Sequence, residues 1–411
     1  LDYAEATIGA MDIKSASLNK KFLIIVALIS AIKIISVFFI NNINTYEDHE
    51  IAQNFLKHHS FFYFNDGVIN HSFQFPIYPI LLSVAYSIYN AKAAAIVLNI
   101  LLSSISSFMV HAILNQCLSK GWIAFSEKII IALSLIPLLH PAFVYYELKC
   151  VHPFVHDFLF LTIAIYSSIS LINSDSSIFE KGMMLGTAVL ARGTFIVFPM
   201  MLIAYILFRK EIKKASLTLL GMFLMLAPWL THNYLSDDVL ALTSTTGKIL
   251  WKGSLHDSEG GNYLNNGENY YHALNAADLN TLGQSTVKEQ NDFFMQRYLQ
   301  QWKTEPLHVI KMCMIKLKNF WFLSSNTGTE YPDYIKKTIP LLRLINLIFI
   351  GALLFLSFKS REFTWLYIAL CFSFLQAVFY VEARHRLLLD PLLLIILIHL
   401  LLSLGKKKAF A

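Results

Sequence analysis

Apolar runs of membrane length recur along almost the whole chain, at about 22–40, 93–117, 127–146, 153–172, 182–191, 194–208, 215–235, 338–357, 363–381 and 387–404. Nothing else in the sequence restricts the fold as strongly. A bilayer core of about 30 Å admits only helices or closed barrels, because backbone polar groups find no water there. The runs lack the period-2 alternation of barrel strands and so read as helices. With 56% of 411 residues hydrophobic, a soluble globule is excluded. The sequence predicts an all-α polytopic membrane protein with about ten transmembrane helices.

The net charge of +6 is then a topology signal rather than a nucleic-acid signal. An N-terminus in the cytoplasm puts Lys14, Lys20 and Lys21, Lys120 and Lys128, Lys181, Arg209 to Lys214, Lys359 and Arg361, and Lys406 to Lys408 on one side. This satisfies the positive-inside rule at each short connection. Counting 76–90 as a full crossing would move the later clusters to the wrong face, so that stretch reads as interfacial or re-entrant. Two short crossings, 182–191 and 194–208, are needed to keep both flanking lysine clusters inside. The chain divides into a cytoplasmic tail (1–21), an N-terminal transmembrane module (22–235, first outer loop 41–92), an outer loop (236–337) and C-terminal helices with a Lys-rich tail (338–411). Residues 1–10 precede Met11 and are set aside as upstream of a natural start.

No CxxC, HExxH or paired-histidine spacing points to zinc, and no GxxxxGK[ST] loop points to ATP. Of the four cysteines, only Cys150 and Cys313 can meet on the outer side as a bridge. No internal repeat is visible.

Chemistry therefore falls to the outer face. Glu47, Asp48 and Glu50, with His49, follow the first span. Continued as a helix through Ile51, Ala52, Phe55 and Leu56, the segment lays its apolar face on the membrane and turns the acids toward a cavity. A carboxylate there can take a proton from an acceptor hydroxyl, although acids equally suit a solvated helix start. In Glu382-Ala383-Arg384-His385-Arg386, two arginines stand on the face where cations are disfavoured, placed for a phosphate or for a salt bridge with Glu382. Lys311, Lys316 and Lys318 interleave with apolar residues over 303–322 as a basic amphipathic helix, fit to guide a lipid phosphate or simply to anchor. Arg192 interrupts hydrocarbon and reads as a ligand, a helix-pairing residue or a snorkelling cation. The stretch 254–305, rich in Asn, Gly and Tyr and including Tyr263, suits sugar hydroxyls, a mobile lid or an inert loop.

The order of these pieces resembles bacterial GT-C glycosyltransferases related to the dolichyl-phosphate-mannose protein mannosyltransferases and the aminoarabinose transferases. The resemblance rests on YEDHEIAQNFLKHHSFFYFNDGVINHSFQFPIYPILLSVAYSIY, on Pro141 to Tyr146, Ala191-Arg192, Ala227 to Tyr234 and Thr245 to Gly253, and on the closing EARHRLLLDPLL. It implies a GT-C fold in the bacterial inner membrane with an extracytoplasmic active site. It also implies transfer of a sugar, with inversion, from a polyprenyl phosphate such as undecaprenyl phosphate to a cell-surface glycan, lipid A or a protein. By position it carries the general base onto Glu47 or Asp48, with Asp48 preferred, and phosphate binding onto Arg384 and Arg386, with Lys316 and Arg192 as further cations. Mg²⁺ or Mn²⁺ fits such a site without being demanded by it.

Two positions depart from the resemblance. His152 stands where relatives carry Glu, ahead of His156 and Asp157, and His232 stands where they carry Arg. With Tyr263 and Glu50, these histidines are the acceptor or sugar candidates, and their charge is pH dependent near neutrality. The competing classes are a lipid-linked glycan flippase and an O-antigen-polymerase-like enzyme. The long outer loop, the amphipathic helix and the acidic first loop favour the transferase over both.

Overall fold

The computed structural model describes residues 20–40, 42–65, 67–322, 333–360, 364–379 and 381–408, some C-terminal positions, including Arg384, by backbone alone. Most of the tail expected over 1–21 lies outside the described residues. Helix α1 (Lys20–Ser36) runs through a 3-10 turn to Phe39 and exposes Leu28, Ile32 and Ile35, as a lipid-facing surface does. Its Phe22 and Val26 pack against Leu135 and Leu138.

The segment expected as the first outer loop holds β1 (Asn44–Thr45), α2 (Glu47–His58), the hairpin β2 (Tyr63–Asn65) and β3 (Val68–Asn70), and α3 (Ile77–Ile88). The hairpin turns at Gly67, whose φ of 84° is one that side chains resist. Helix α3 spans roughly 18 Å at 1.5 Å per residue, too short for the hydrocarbon core, which agrees with an interfacial 76–90. Next comes α4 (Ala91–Ser119), capped by the Asn90 side chain and burying Asn99, Ser103, Ser106, Ser107 and His111.

The run 127–146, expected as one crossing, is instead three pieces: α5 (Glu127–Ser134), α6 (Ile136–Leu139) and α7 (Pro141–Lys149). Pro137 and Pro141 lack the N–H that would continue the ladder. The carbonyl of Pro137 accepts instead from Ser103 Oγ at 3.2 Å. Strand β4 (Cys150–Val151) leads into α8 (Phe154–Asn173), the most buried of the long helices. Helix α9 (Ile178–Ala191) ends at extended Arg192, and α10 (Val197–Phe208) follows, so the expected break between the two short runs is present.

Helix α11 (Ile212–Asp237) crosses α9 so closely that a Cβ on Gly182 would meet Thr218 O at 2.4 Å, and one on Gly221 would meet Phe179 O at 2.3 Å. Gly182 and Gly186 form a GxxxG pair, the small-residue spacing that lets membrane helices touch backbone to backbone.

The segment expected as the long outer loop is folded. It comprises α12 (Thr246–Lys252), α13 (Ala276–Gln284), α14 (Val287–Thr304) and α15 (Pro306–Phe322). These bury a core of their own around Trp251, Tyr270, Phe294, Tyr298 and Val309. Capping boxes start two of them, Asn275 with Asp278 and Thr286 with Glu289. The stretch 254–305, expected as a loop, thus contains α13 and α14.

The C-terminal part is α16 (Asp333–Ser360), α17 (Thr364–Val378), α18 (Ala383–Leu387) and α19 (Asp390–Lys408). Among the described residues, five helices have the length and composition to cross a membrane: Lys20–Phe39, Ala91–Ser119, Phe154–Asn173, Ile212–Asp237 and Lys337–Lys359. Shorter apolar helices lie at Ile77–Ile88, Gly193–Phe208 and Asp390–His399. The architecture is that of an all-α polytopic membrane protein. One apolar core runs from Ala52 and Tyr78 through Phe143, Val151 and Phe158 to Phe320, Leu353 and Leu389. Cys150 is buried and Cys313 half-buried, and the bridge considered between them is not formed.

Candidate active site

A two-residue parallel ladder builds the site. Asn44 pairs with Cys150 and Thr45 with Val151, which brings the start of α2 beside the turn into α8. Tyr46 then meets the ring of His152 edge-on at 5.2 Å, and His152 Nδ1 accepts from the Phe154 amide at 3.1 Å. The first-loop acids and His152, far apart in sequence, are thereby brought together.

The three acids of α2 do not behave alike. Asp48 is 4% exposed, whereas Glu47 is half-buried and Glu50 is exposed. Helical geometry explains the difference, since 48, 51 and 52 share a face and Ile51 and Ala52 are both fully buried. Asp48 thus lies on the apolar inner face of α2, not opposite it as the amphipathic reading had it. Phe55 and Leu56 are exposed. The Asp48 carboxylate acts electrostatically on Tyr78 and Tyr86, both on α3. Tyr78 OH donates to Asn99 Oδ1 at 2.9 Å, and Tyr86 OH bonds His49 Nδ1 at 2.8 Å. Burial, and secondarily Lys92, hold His49 below its ordinary pKa, so its ring is neutral at pH 7.

A second carboxylate lies nearby. Asp157, 3% exposed, also acts on Tyr78. It pairs with Arg192 and stands 3.3 Å from His156 Nδ1. Arg192 Nε donates to Thr194 Oγ1 at 3.2 Å. Of the readings open for Arg192, the helix-pairing one describes its contacts, linking α8 to the break after α9.

The expected phosphate residues separate. The backbone of Arg384 lies in α18, but its side chain is outside the described residues. Arg386 points into the bundle at 1% exposure, paired with Asp390, donating to Asn346 Oδ1 at 2.5 Å and lying 5.4 Å over the Trp321 ring. That is a structural position, and it corrects the assignment of Arg386 to phosphate. Lys316 is likewise 1% exposed and donates to Val378 O at 2.9 Å. Gly260 lies directly over its stem, where a Cβ would stand 2.3 Å from Cγ. Burial pulls the Lys316 pKa down to about 8. It therefore ties α15 to α17 instead of meeting solvent.

Around Lys316 three of these expected constellations meet, those of 254–305, 303–322 and 382–386. Val381 N donates to Gly260 O at 2.9 Å, Asn262 Nδ2 donates to Glu382, and Asn319 Nδ2 donates to Glu259 O at 3.0 Å. Tyr263 is half-buried in an antiparallel bridge to Asn269, on this outer subdomain and not in the acid cluster. His232 stacks on Trp229 at 4.8 Å. It sits near His71, whose backbone N–H and ring both bond Asp237.

Sequence reasoning passed over Glu147, which is fully buried and accepts from Lys33 Nζ at 2.5 Å. The signal was Lys33 itself, a lone charge in an apolar run, which demands an acid partner. Among the described residues no three His, Cys, Asp or Glu side chains converge to hold a metal ion. Comparison with protein-family models, with curated proteins and with solved structures finds no match to this chain.

Proposed function

We propose that this chain is a GT-C-type glycosyltransferase of the bacterial cytoplasmic membrane. In this reading it moves a sugar from a polyprenyl phosphate, undecaprenyl phosphate in particular, to an extracytoplasmic glycan, lipid or protein acceptor. The observation that carries the reading is Asp48. It is a carboxylate withdrawn from solvent at the first turn of α2, acting on Tyr78 and Tyr86, on a helix whose preceding residue Tyr46 meets the ring of His152. Glu50, on the same helix, is exposed.

The chemistry follows from that placement. The Asp48 carboxylate takes the proton of the acceptor hydroxyl as its oxygen bonds to the anomeric carbon. The bond from that carbon to the phosphate oxygen breaks on the opposite face, which inverts the configuration. The electron pair leaves with polyprenyl phosphate, and Asp48 then returns its proton to water. Asp157 is paired with Arg192. The proximity of Tyr86 and neutral His49 offers hydrogen-bonding groups toward a sugar or acceptor hydroxyl.

The test is transfer from a panel of radiolabelled polyprenyl-phosphate sugars into membrane acceptor fractions, comparing wild type with Asp48→Asn and Glu47→Gln. Transfer lost in one folded variant names the base. An absence of transfer by the wild type from every donor, with acceptors present, overturns the reading.

A further inference from the structure

The polarity of the β2–β3 hairpin is inverted. Antiparallel strands turn alternate side chains to opposite faces, and ordinarily the packed face is apolar and the other polar. Here the inward set is Tyr63, Asn65, Val68 and Asn70, half of it amides. Asn70 is buried, its Oδ1 accepting from Ser72 N at 3.1 Å and from Ser244 Oγ at 3.0 Å, and Tyr63 packs on the ring of Phe73. The opposite face carries Phe64 and Ile69, directly across from one another in the register and 59% and 53% exposed. Such a pair gains free energy when it leaves water for an apolar medium.

The ties of the hairpin fix the depth of that pair. Its exit is bound to the last residue of α11: His71 N and Ser72 N donate to Asp237 Oδ2 at 2.9 and 2.7 Å, and Ser72 Oγ donates to the same oxygen at 2.6 Å. Because α11 has the length and composition to cross a bilayer, its end marks the boundary between hydrocarbon and water. Tyr234, Leu235 and Leu240 are exposed around that end, as side chains in a headgroup layer are. Ile69 stands two residues from His71, at most about 7 Å of strand. The interfacial layer on each side of the hydrocarbon is about 5–8 Å thick, so the pair falls within it. At the tip, Gly67 abuts α13, a Cβ there standing 3.7 Å from Gly283 O.

Helix α2 extends the same character. It is joined to the hairpin by Asn54 Nδ2, which donates to Phe62 O at 3.1 Å, and its last turns expose Phe55 and Leu56 followed by Lys57, His58 and His59. Apolar side chains with a basic rim are what an interfacial segment presents. A second copy of the chain is a poorer occupant: Phe64 and Ile69 together expose on the order of 200 Å², against about 800 Å² per partner in a stable protein interface.

We propose that Phe64 and Ile69 insert into the headgroup–acyl boundary of the phospholipid leaflet in which α11 ends, making the β2–β3 hairpin a lipid anchor. The anchor holds α2, and Asp48 with it, against the membrane surface. It does not depend on the transferase reading.

The test places para-fluorophenylalanine at Phe64 of the full chain in phosphatidylcholine nanodiscs, so that one fluorine signal reports the site. A nitroxide near the top of the lipid acyl chain should broaden that signal roughly threefold more than a water-soluble nickel chelate does. Ile69→Asp should cut the lipid broadening by about half or more, with the thermal midpoint little changed because Ile69 faces away from the packed side. Equal or greater broadening by the chelate overturns the anchor in favour of a solvent-facing hairpin. Broadening by neither reagent means that protein covers the pair, and overturns it as well. Lipid broadening that Ile69→Asp leaves unchanged shows that the ties to Asp237 alone set the depth, and also overturns it.

Discussion

Lys33 Nζ donates to Glu147 Oε2 at 2.5 Å, joining the first apolar helix to the end of α7 through side chains that are 10% and 0% exposed. A pair so withdrawn from water stabilises little in itself, but breaking it strands a charge. Lys33→Met alone is expected to lower stability by about 3–5 kcal/mol, and Lys33→Met/Glu147→Leu to recover most of it. Thermal unfolding in detergent decides; equal losses in the single and double variants would contradict a buried pair.

For Asp48, replacement by Asn removes the proton acceptor and keeps the shape. Transfer should fall by roughly 10²–10⁴-fold, the usual contribution of a general base. Glu47→Gln should cost less than tenfold, because Glu47 is half-buried and lies off the face that Asp48 shares with Ile51 and Ala52. The reverse order of effects would move the base to Glu47.

The crossing of α9 and α11 leaves no room for a side chain at Gly182 or Gly221. Gly182→Ala should destabilise by about 1–3 kcal/mol through overpacking. Gly351→Ala, with nothing within 4 Å of the added carbon, should be neutral or stabilising by up to about 1 kcal/mol. Unfolding midpoints of the two variants should therefore move in opposite directions or differ clearly in size.

Lys316 has a folded pKa of about 8 against an ordinary 10.5. Between these values the unfolded chain binds more protons, so stability rises with pH across that window, and below pH 8 the full penalty of the buried charge applies. Lys316→Met removes that penalty, about 3 kcal/mol, at the cost of the bond to Val378 O. The variant should gain on wild type at pH 7, with the advantage shrinking toward pH 10. A pH-independent difference would show that the ammonium is not desolvated.

Much of this was legible in sequence because it is local. Hydropathy marks the spans, the acid run marks the start of α2, and the lysine spacing marks α15 as amphipathic. The interruption at Arg192 marks the break between α9 and α10. What escaped depends on distant partners. Arg386 looked like a phosphate ligand until Asp390, Asn346 and Trp321 were seen to enclose it. Glu147 looked unremarkable without Lys33. The division of 127–146 at Pro137 and Pro141, the capping boxes of the outer subdomain and the GxxxG of α9 were in the sequence, outweighed by its overall hydropathy.

The pairing of Asn44 and Thr45 with Cys150 and Val151 has a temporal meaning. The partner strand emerges from the ribosome only after the whole of α4 to α7, so the first outer loop must wait for later helices to enter the bilayer before Asp48 acquires its setting. Contacts of such long sequence separation form late. A chain arrested before Cys150 would carry the acid run without the strand that pairs beside it, which confines assembly of the acid cluster to chains threaded correctly as far as β4.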